Sequence, residues 1–253
     1  MPLRLRGGFL LGRSHLLIIA GNFFRGLSIS NCMSRKARFV VPGIPHHITQ
    51  RGNRRNNLFF TDNDRKQFLF WLEEAARKSS TSILAYCLMT NHIHIAAVPE
   101  HKESLHLTLK AVFTKYAMRI NRIHEWSGYV VQNRFYSSPL DNDHAMACVA
   151  YIENNPVRAK LVQTAEEYQW SSAYTRAKNI LDPVIDYKNV WYRRLVGKSN
   201  FMPIPRLNDS MIAKFRICGS RNLPVGSDAF IANLETESGR VLRVRSRGRP
   251  ENK

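Results

Sequence analysis

Two short segments of this 253-residue chain carry side chains that could do chemistry. The first is His92-Ile93-His94-Ile95. On a strand, alternate side chains share a face, so both imidazoles project one way while Ile93 and Ile95 point into a core. Two histidines on one face of a rigid strand make half of a metal site, and a third ligand must come from elsewhere. Taken alone, an H-x-H is more often a polar strand face that happens to carry two histidines. The second segment is Tyr151-Ile152-Glu153-Asn154-Asn155. Tyr151 and Asn155 are four apart and share a helical face. An oxygen of Asn155 could therefore complete a His92, His94, Asn155 metal site with Tyr151 presented beside it. An unassisted phenol is a poor nucleophile near neutral pH and needs a metal or a base. By itself, Tyr151 reads as a surface tyrosine ahead of a helix-terminating Asn-Asn-Pro. Glu153 adds negative charge nearby but should point away from Tyr151 on the helix.

Such a site needs residues that hold a substrate, and the composition indicates which kind. Thirty-eight Lys and Arg face nineteen Asp and Glu, a net charge of +19. A field of that sign concentrates polyanions, of which nucleic acid is the commonest. Arg51, Asn53, Arg54 and Arg55 follow the first strand, Gln132, Arg134 and Tyr136 lie on a late strand, and Arg158 lies beyond the Tyr151 helix. Arginine pairs bidentately with phosphate, and aromatic rings stack on unpaired bases. Arg247-Gly248-Arg249-Pro250 matches the core of an AT-hook, a four-residue motif about as well explained by a plain basic tail. The four cysteines, Cys32, Cys87, Cys148 and Cys218, show no C-x-x-C spacing. That argues against a zinc ribbon or a disulfide framework and fits a reducing cytoplasm. The apolar run at 16–24 is too short to span a bilayer. The expected location is therefore cytoplasmic and nucleoid-associated, with no membrane partner.

The elements that must position these residues follow from periodicity and turn signals. Residues 45–51 alternate as a strand, ended by the Gly52-Asn53 turn. Asp62 or Asn63 caps a helix running to about 78, with Phe68, Leu69, Trp71, Leu72 and Ala75 as its apolar stripe. Strands at 82–89 and 92–98 flank a break at Thr90-Asn91, and a second helix spans 105–123. Residues 130–136 read as a further strand, and Asp143 caps a helix that ends near Pro156. The order implies an α+β fold: a ferredoxin-like split β-α-β antiparallel sheet with helices on one face and an added helix carrying Tyr151. The expected division is a dispensable leader at 1–33, a main domain at 34–178 and a connector at 179–205. A small helical module follows at 206–240, with a turn at Gly219 and a cap at Ser227, and a basic tail occupies 241–253.

Four stretches carry a family resemblance: 45–53 (PHHITQRGN), 91–94 (NHIH), 132–136 (QNRFY) and 151–159 (YIENNPVRA). With Trp170-Ser171-Ser172, they resemble the REP-associated tyrosine transposases of bacteria, a branch of the HUH single-tyrosine transposase superfamily. The resemblance covers about residues 34–175 and does not include the leader. It implies that His92, His94 and Asn155, the last at a position that is Gln or Asn in relatives, hold Mg²⁺ or Mn²⁺. It also implies that Tyr151 attacks a scissile phosphate to leave a 5′-phosphotyrosine link and a free 3′-hydroxyl. The implied substrates are single-stranded DNA hairpins of the repetitive extragenic palindrome type, gripped by the Arg51–Arg55 loop and the basic tail. The resemblance is compatible with a monomer or a homodimer. A nicking relative that does not complete transposition usually has a broader histidine cluster and a larger chain. The reading from another class, a catalytically silent DNA-binding regulator of palindromic repeats, is disfavoured by the intact His92, His94 and Tyr151.

Overall fold

A computed structural model describes residues 38–196 and 207–244 of the chain. The leader at 1–33, the end of the connector, and Arg247 and Arg249 lie outside the described residues.

Four strands form one antiparallel sheet: β1 (His46–Arg51), β2 (Thr81–Leu88), β3 (His92–Pro99) and β4 (Tyr136–Pro139), in the order β2-β3-β1-β4. The register sets Thr49 opposite both His94 and Tyr136, Arg51 opposite His92, and Cys87 opposite His94. Since opposed residues share a face, His47, Thr49, Arg51, His92 and His94 all project to the same side. Ile48, Ile93 and Ile95 point to the other side and are completely or almost completely buried. There α1 (Asp62–Lys78) and α2 (Ser104–His124) pack together, their seam filled by Phe59, Phe68 and Tyr116.

The histidine side is covered by α3 (Asn142–Glu153), which runs into a single turn, α4 (Asn155–Arg158). Then come α5 (Ser172–Ala177), α6 (Val190–Val196), α7 (Asp209–Arg221) and α8 (Asp228–Ser238). Among the described residues, no helix is long and apolar enough to cross a membrane.

The expected helices and first three strands form, with shifted ends. Thr61, not Asp62 or Asn63, caps α1: its hydroxyl accepts from Asp64 N at 3.2 Å and the Asp64 carboxylate accepts from Thr61 N at 2.9 Å. This reciprocal box satisfies two amides, where a lone cap by Asp62 or Asn63 would satisfy one. Asp141, not Asp143, caps α3, accepting from His144 N at 2.9 Å. The late strand is displaced. Residues 130–135 form a loop joined to the end of β1 by the Gly52–Val131 bridge and by Gln132, whose N donates to Arg51 O at 2.9 Å, and the ladder begins at Tyr136. Asn133 sits at φ +56, which breaks an extended run. Ser137 and Ser138 are poor strand formers in isolation, but their register with His47 and Ile48 makes them strand.

Two further departures lie toward the C-terminus. Gly219 does not end α7, which continues to Arg221 and stops at Asn222, φ +56. A glycine inside a helix costs about 1 kcal/mol against alanine. Burial of Phe215, Cys218 and Gly219 against β1 and β4 offsets that cost. Residues 179–196 are also held closely. Buried Asp182 accepts from Tyr86 Oη at 2.7 Å, Asp186 N donates to Ile83 O at 2.9 Å, and Tyr192 and Leu195 of α6 enter the core.

The α7–α8 pair is tied to the sheet by backbone as well as packing. Asn222 Oδ1 accepts from Ser137 N at 2.9 Å, and Val225 N donates to Pro139 O at 2.9 Å. Asp141 joins α3 to α8, its second oxygen accepting from Ser227 N at 2.7 Å while Ser227 caps α8. Gly226 is required at this junction, since a Cβ there would meet the Phe230 ring at 2.2 Å.

Candidate active site

A cavity of about 590 Å³ opens on the histidine face of the sheet. Its walls bring together His92 and His94 of β3, Tyr151 of α3, and Asn155 and Arg158 of α4. Arg51 and Arg55 from the β1 side line it too, as do Gln132 and Tyr136. The His92 and His94 rings lie 5.0 Å apart, and the Tyr151 ring is 5.7 Å from His94. Residues more than fifty positions apart thus form one cluster, because β3 and α3 cross on one face of the sheet.

Hydrogen bonds define which imidazole nitrogens are free. His92 Nδ1 lies 2.6 Å from Asn91 Oδ1, and Asn91 Nδ2 donates to Arg55 O. An amide oxygen only accepts, so His92 carries its hydrogen on Nδ1 and leaves the Nε2 lone pair free. His94 Nδ1 lies 2.9 Å from Nε2 of His47, a completely buried residue on β1. His94 offers an Nε2 lone pair only in the tautomer whose Nδ1–H donates to His47, which places the His47 hydrogen on its own Nδ1. That atom is buried and has no partner.

Burial, then the charge of Arg51, lowers the His92 pKa to about 4. Burial, then Arg158, lowers that of His47 to about 3. His94 falls well below the ordinary histidine value, through burial and then His47. All three rings are neutral at pH 7, the state in which imidazole ligates a metal. A second nitrogen held by a neighbouring group is the usual way such ligands are oriented.

The pair therefore suits a divalent cation, and Asn155, in the same cavity wall, is already engaged in hydrogen bonds. Its Nδ2 donates to Tyr151 O and Ile152 O at 3.2 and 3.1 Å, and its Oδ1 accepts from Arg158 Nη2 at 2.7 Å. Among the described residues, no trio of His, Cys, Asp or Glu is grouped to hold a metal. An amide oxygen has two lone pairs, so Asn155 Oδ1 keeps one for a metal while Arg158 holds the other.

Tyr151 is 4 % exposed. The guanidinium carbon of Arg158 stands 4.1 Å over the centre of its ring, and Phe215 of α7 packs on it at 5.0 Å. The α3 helix is locked in place by Glu153. This completely buried carboxylate forms a two-pronged ion pair with Arg176 of α5 and accepts from Ser172 Oγ at 2.7 Å. Ser172 also accepts from Tyr86 N of β2 at 3.1 Å. Glu153 does point away from Tyr151, and its charge is matched within the core.

Of the other expected substrate contacts, Asn53 donates its side chain to Tyr129 O at 3.1 Å, and Arg54 and Arg134 are exposed outside the cavity lining. Sequence reasoning missed His47, Phe215 and Arg216, which line the cavity. The signal for His47 was available: it alternates with Thr49 and Arg51 on β1. Its neighbour His46 faces the other way and bonds Ser137 Oγ at 2.9 Å. Phe215 and Arg216 carry no such signal, because nothing local says that α7 returns to the sheet.

His47→Ala is expected to weaken Mn²⁺ binding by about 10- to 100-fold, the usual range for loss of a group that orients a metal ligand. Isothermal titration with the purified protein checks this. Affinity within twofold of wild type would mean that the His47–His94 bond is only structural.

The family described as transposase IS200 like matches residues 40–155. Among curated proteins, none matches. Several solved structures are similar, two of which follow. One, of a REP-associated tyrosine transposase bound to a REP hairpin, has 19 % identity and a TM-score of 0.49, covering 62 % of this chain and 96 % of that one. The other, from Deinococcus radiodurans R1 and described as a transposase, has 16 % identity and a TM-score of 0.33, covering 51 % of this chain and 94 % of that one. Residues 40–155, which span β1 to α3 and carry the whole His–His–Tyr cluster, are thus the part of the chain that matches the IS200-like transposase family.

Proposed function

We propose that this domain cuts and rejoins single-stranded DNA beside hairpins of the repetitive extragenic palindrome type, with Tyr151 as nucleophile. The observation that carries the reading is the placement of Tyr151 5.7 Å from His94, in a cavity lined by Arg51, Arg55 and Arg158. The three arginines supply positive charge where a phosphodiester enters, and guanidinium matches phosphate geometry bidentately.

The Tyr151 oxygen attacks phosphorus, the bond from phosphorus to the 3′ oxygen breaks, and the 5′ side remains on the tyrosine. Arg158, stacked on the ring, keeps positive charge beside both nucleophile and phosphate. A second 3′-hydroxyl reverses the step, releasing Tyr151. One phosphodiester is exchanged for another, so no nucleotide cofactor is consumed.

Transposases of this family generally depend on a divalent metal. Here His92 and His94 would hold Mg²⁺ or Mn²⁺ through Nε2, with Asn155 as the candidate third ligand. When bound, the metal polarises the scissile phosphate and offsets charge building in the displacement. In the ligating tautomer of His94, His47 accepts the Nδ1–H and orients the ring. Phe215 and Arg158 both pack on the Tyr151 ring.

Incubation with an end-labelled hairpin oligonucleotide and Mn²⁺ tests the reading. The expected product is a denaturation-resistant protein–DNA adduct carrying the 5′ phosphate. Hairpin binding without cleavage under any divalent metal would overturn it in favour of a silent DNA-binding regulator.

A further inference from the structure

Beside the cavity, the surface at the Gly52–Asn57 turn collects aromatic rings that the mechanism does not use, next to Arg54 and to Arg55, which also lines the cavity. Phe60, His124 and Trp126 form a cluster, with ring centres 4.6 Å apart for Phe60–His124, 4.5 Å for His124–Trp126 and 5.6 Å for Phe60–Trp126. Trp126 is nevertheless 52 % exposed, and nearby Tyr129 is 87 % exposed. Large rings bury well and gain most when covered, so two left open on one loop mark a surface awaiting a partner.

The neighbouring turn is held under strain. Arg54 and Arg55 sit at φ +53 and +66, where non-glycine residues are disfavoured by about 1 kcal/mol or more each. Gly52 permits the turn, since a Cβ there would lie 2.3 Å from Asn56 O. The turn is bound on both sides: Gly52 N donates to Asn91 O, Asn91 Nδ2 donates to Arg55 O, and Asn53 donates to Tyr129 O and Val130 O. The strained backbone thus displays two exposed guanidinium groups between the cavity, which Arg55 lines, and the Trp126–Tyr129 loop.

We propose that this strip is a second nucleic-acid subsite, a base-stacking platform for unpaired nucleotides that run out of the cavity. Trp126 and Tyr129 offer open faces to bases, while Arg54 and Arg55 take the intervening phosphates. Every base has a π face, so stacking holds single strands with little sequence preference, whereas duplex bases are already stacked on one another. The exposed arginines and the chain's net charge of +19 favour a polyanion over an apolar protein partner. The inference rests on the reading of single-stranded DNA as substrate, and its test is separable from that of cleavage.

The test titrates the full-length protein, without metal, with an unstructured oligothymidylate while following tryptophan emission. Wild type is expected to lose emission on binding, and Trp126→Phe to lose most of that response, since Trp170 is buried and Trp71 and Trp191 are partly covered. Trp126→Ala and Tyr129→Ala are each expected to weaken binding at least about fivefold. Unchanged thermal midpoints exclude misfolding, and Trp126→Phe reports on the site even if an alanine variant folds poorly. Wild-type affinity in both alanine variants, or full quenching in Trp126→Phe, overturns the platform. A Tyr151-dependent adduct in those variants would leave the cleavage reading standing. Weakened oligothymidylate binding without any wild-type adduct would support the platform and remove the cleavage reading.

Discussion

Tyr151→Phe is expected to abolish the covalent adduct, a loss of at least about 10⁴-fold in single-turnover cleavage, while hairpin affinity stays within about tenfold. Removing one oxygen leaves the ring, so the contacts of Phe215, His47 and Arg158 with that ring persist. Fold and cavity shape should survive, which makes a null result interpretable. Binding survives because arginines hold the phosphates, and Arg51, Arg55 and Arg158 are untouched. Electrophoresis of the labelled product under denaturing conditions reads the adduct, and filter binding reads affinity. Residual adduct near the wild-type level would mean that another nucleophile acts. Tyr136 also lines the cavity and would be the next to replace.

Arg176→Met should cost about 3 to 5 kcal/mol of folding stability, the usual penalty for stranding one partner of a buried pair. Glu153 would be left as a completely buried carboxylate with Ser172 as its remaining side-chain hydrogen-bond donor among the described residues. Burial disfavours the Arg176 cation, yet Glu153 more than offsets this and raises its pKa. The charge is thus held by that partner. The double variant Glu153→Leu with Arg176→Met should recover most of the loss, since an apolar pair of similar bulk removes both desolvation costs. Urea denaturation of the three variants measures this cycle. A loss under 1 kcal/mol in Arg176→Met would show that water reaches Glu153. The position of α3, and so of Tyr151, depends on this pair, because Glu153 ties the helix through Ser172 to β2.

The sheet was legible in the sequence because its signal is local. The alternation in 92–98 states which side chains share a face, and that alone aligned His92 with His94. The same rule applied to β1 would have added His47. The late strand was misplaced for the opposite reason. Aromatic and branched residues at 130–136 score as strand, whereas Ser137 and Ser138 become strand only through their pairing with β1. Caps slipped by one or two residues because adjacent polar residues compete: the local Thr61–Asp64 box prevails at α1, and a tertiary partner chooses the aspartate at α3. Asp141 serves because it also bonds Ser227 across the chain.

The sequence by itself determined the chemistry on offer: two histidines on one strand face, a tyrosine on a helix, and a basic surface suited to DNA. Residue type and a period of two or 3.6 suffice for that. Tertiary structure alone decided who meets whom. It set His47 behind His94, turned Asn155 toward Arg158, neutralised Glu153 with Arg176, and laid Phe215 on Tyr151. These pairings join residues brought close by strand register, helix ends and helix packing. Their free energy comes from burial that no local window of sequence contains.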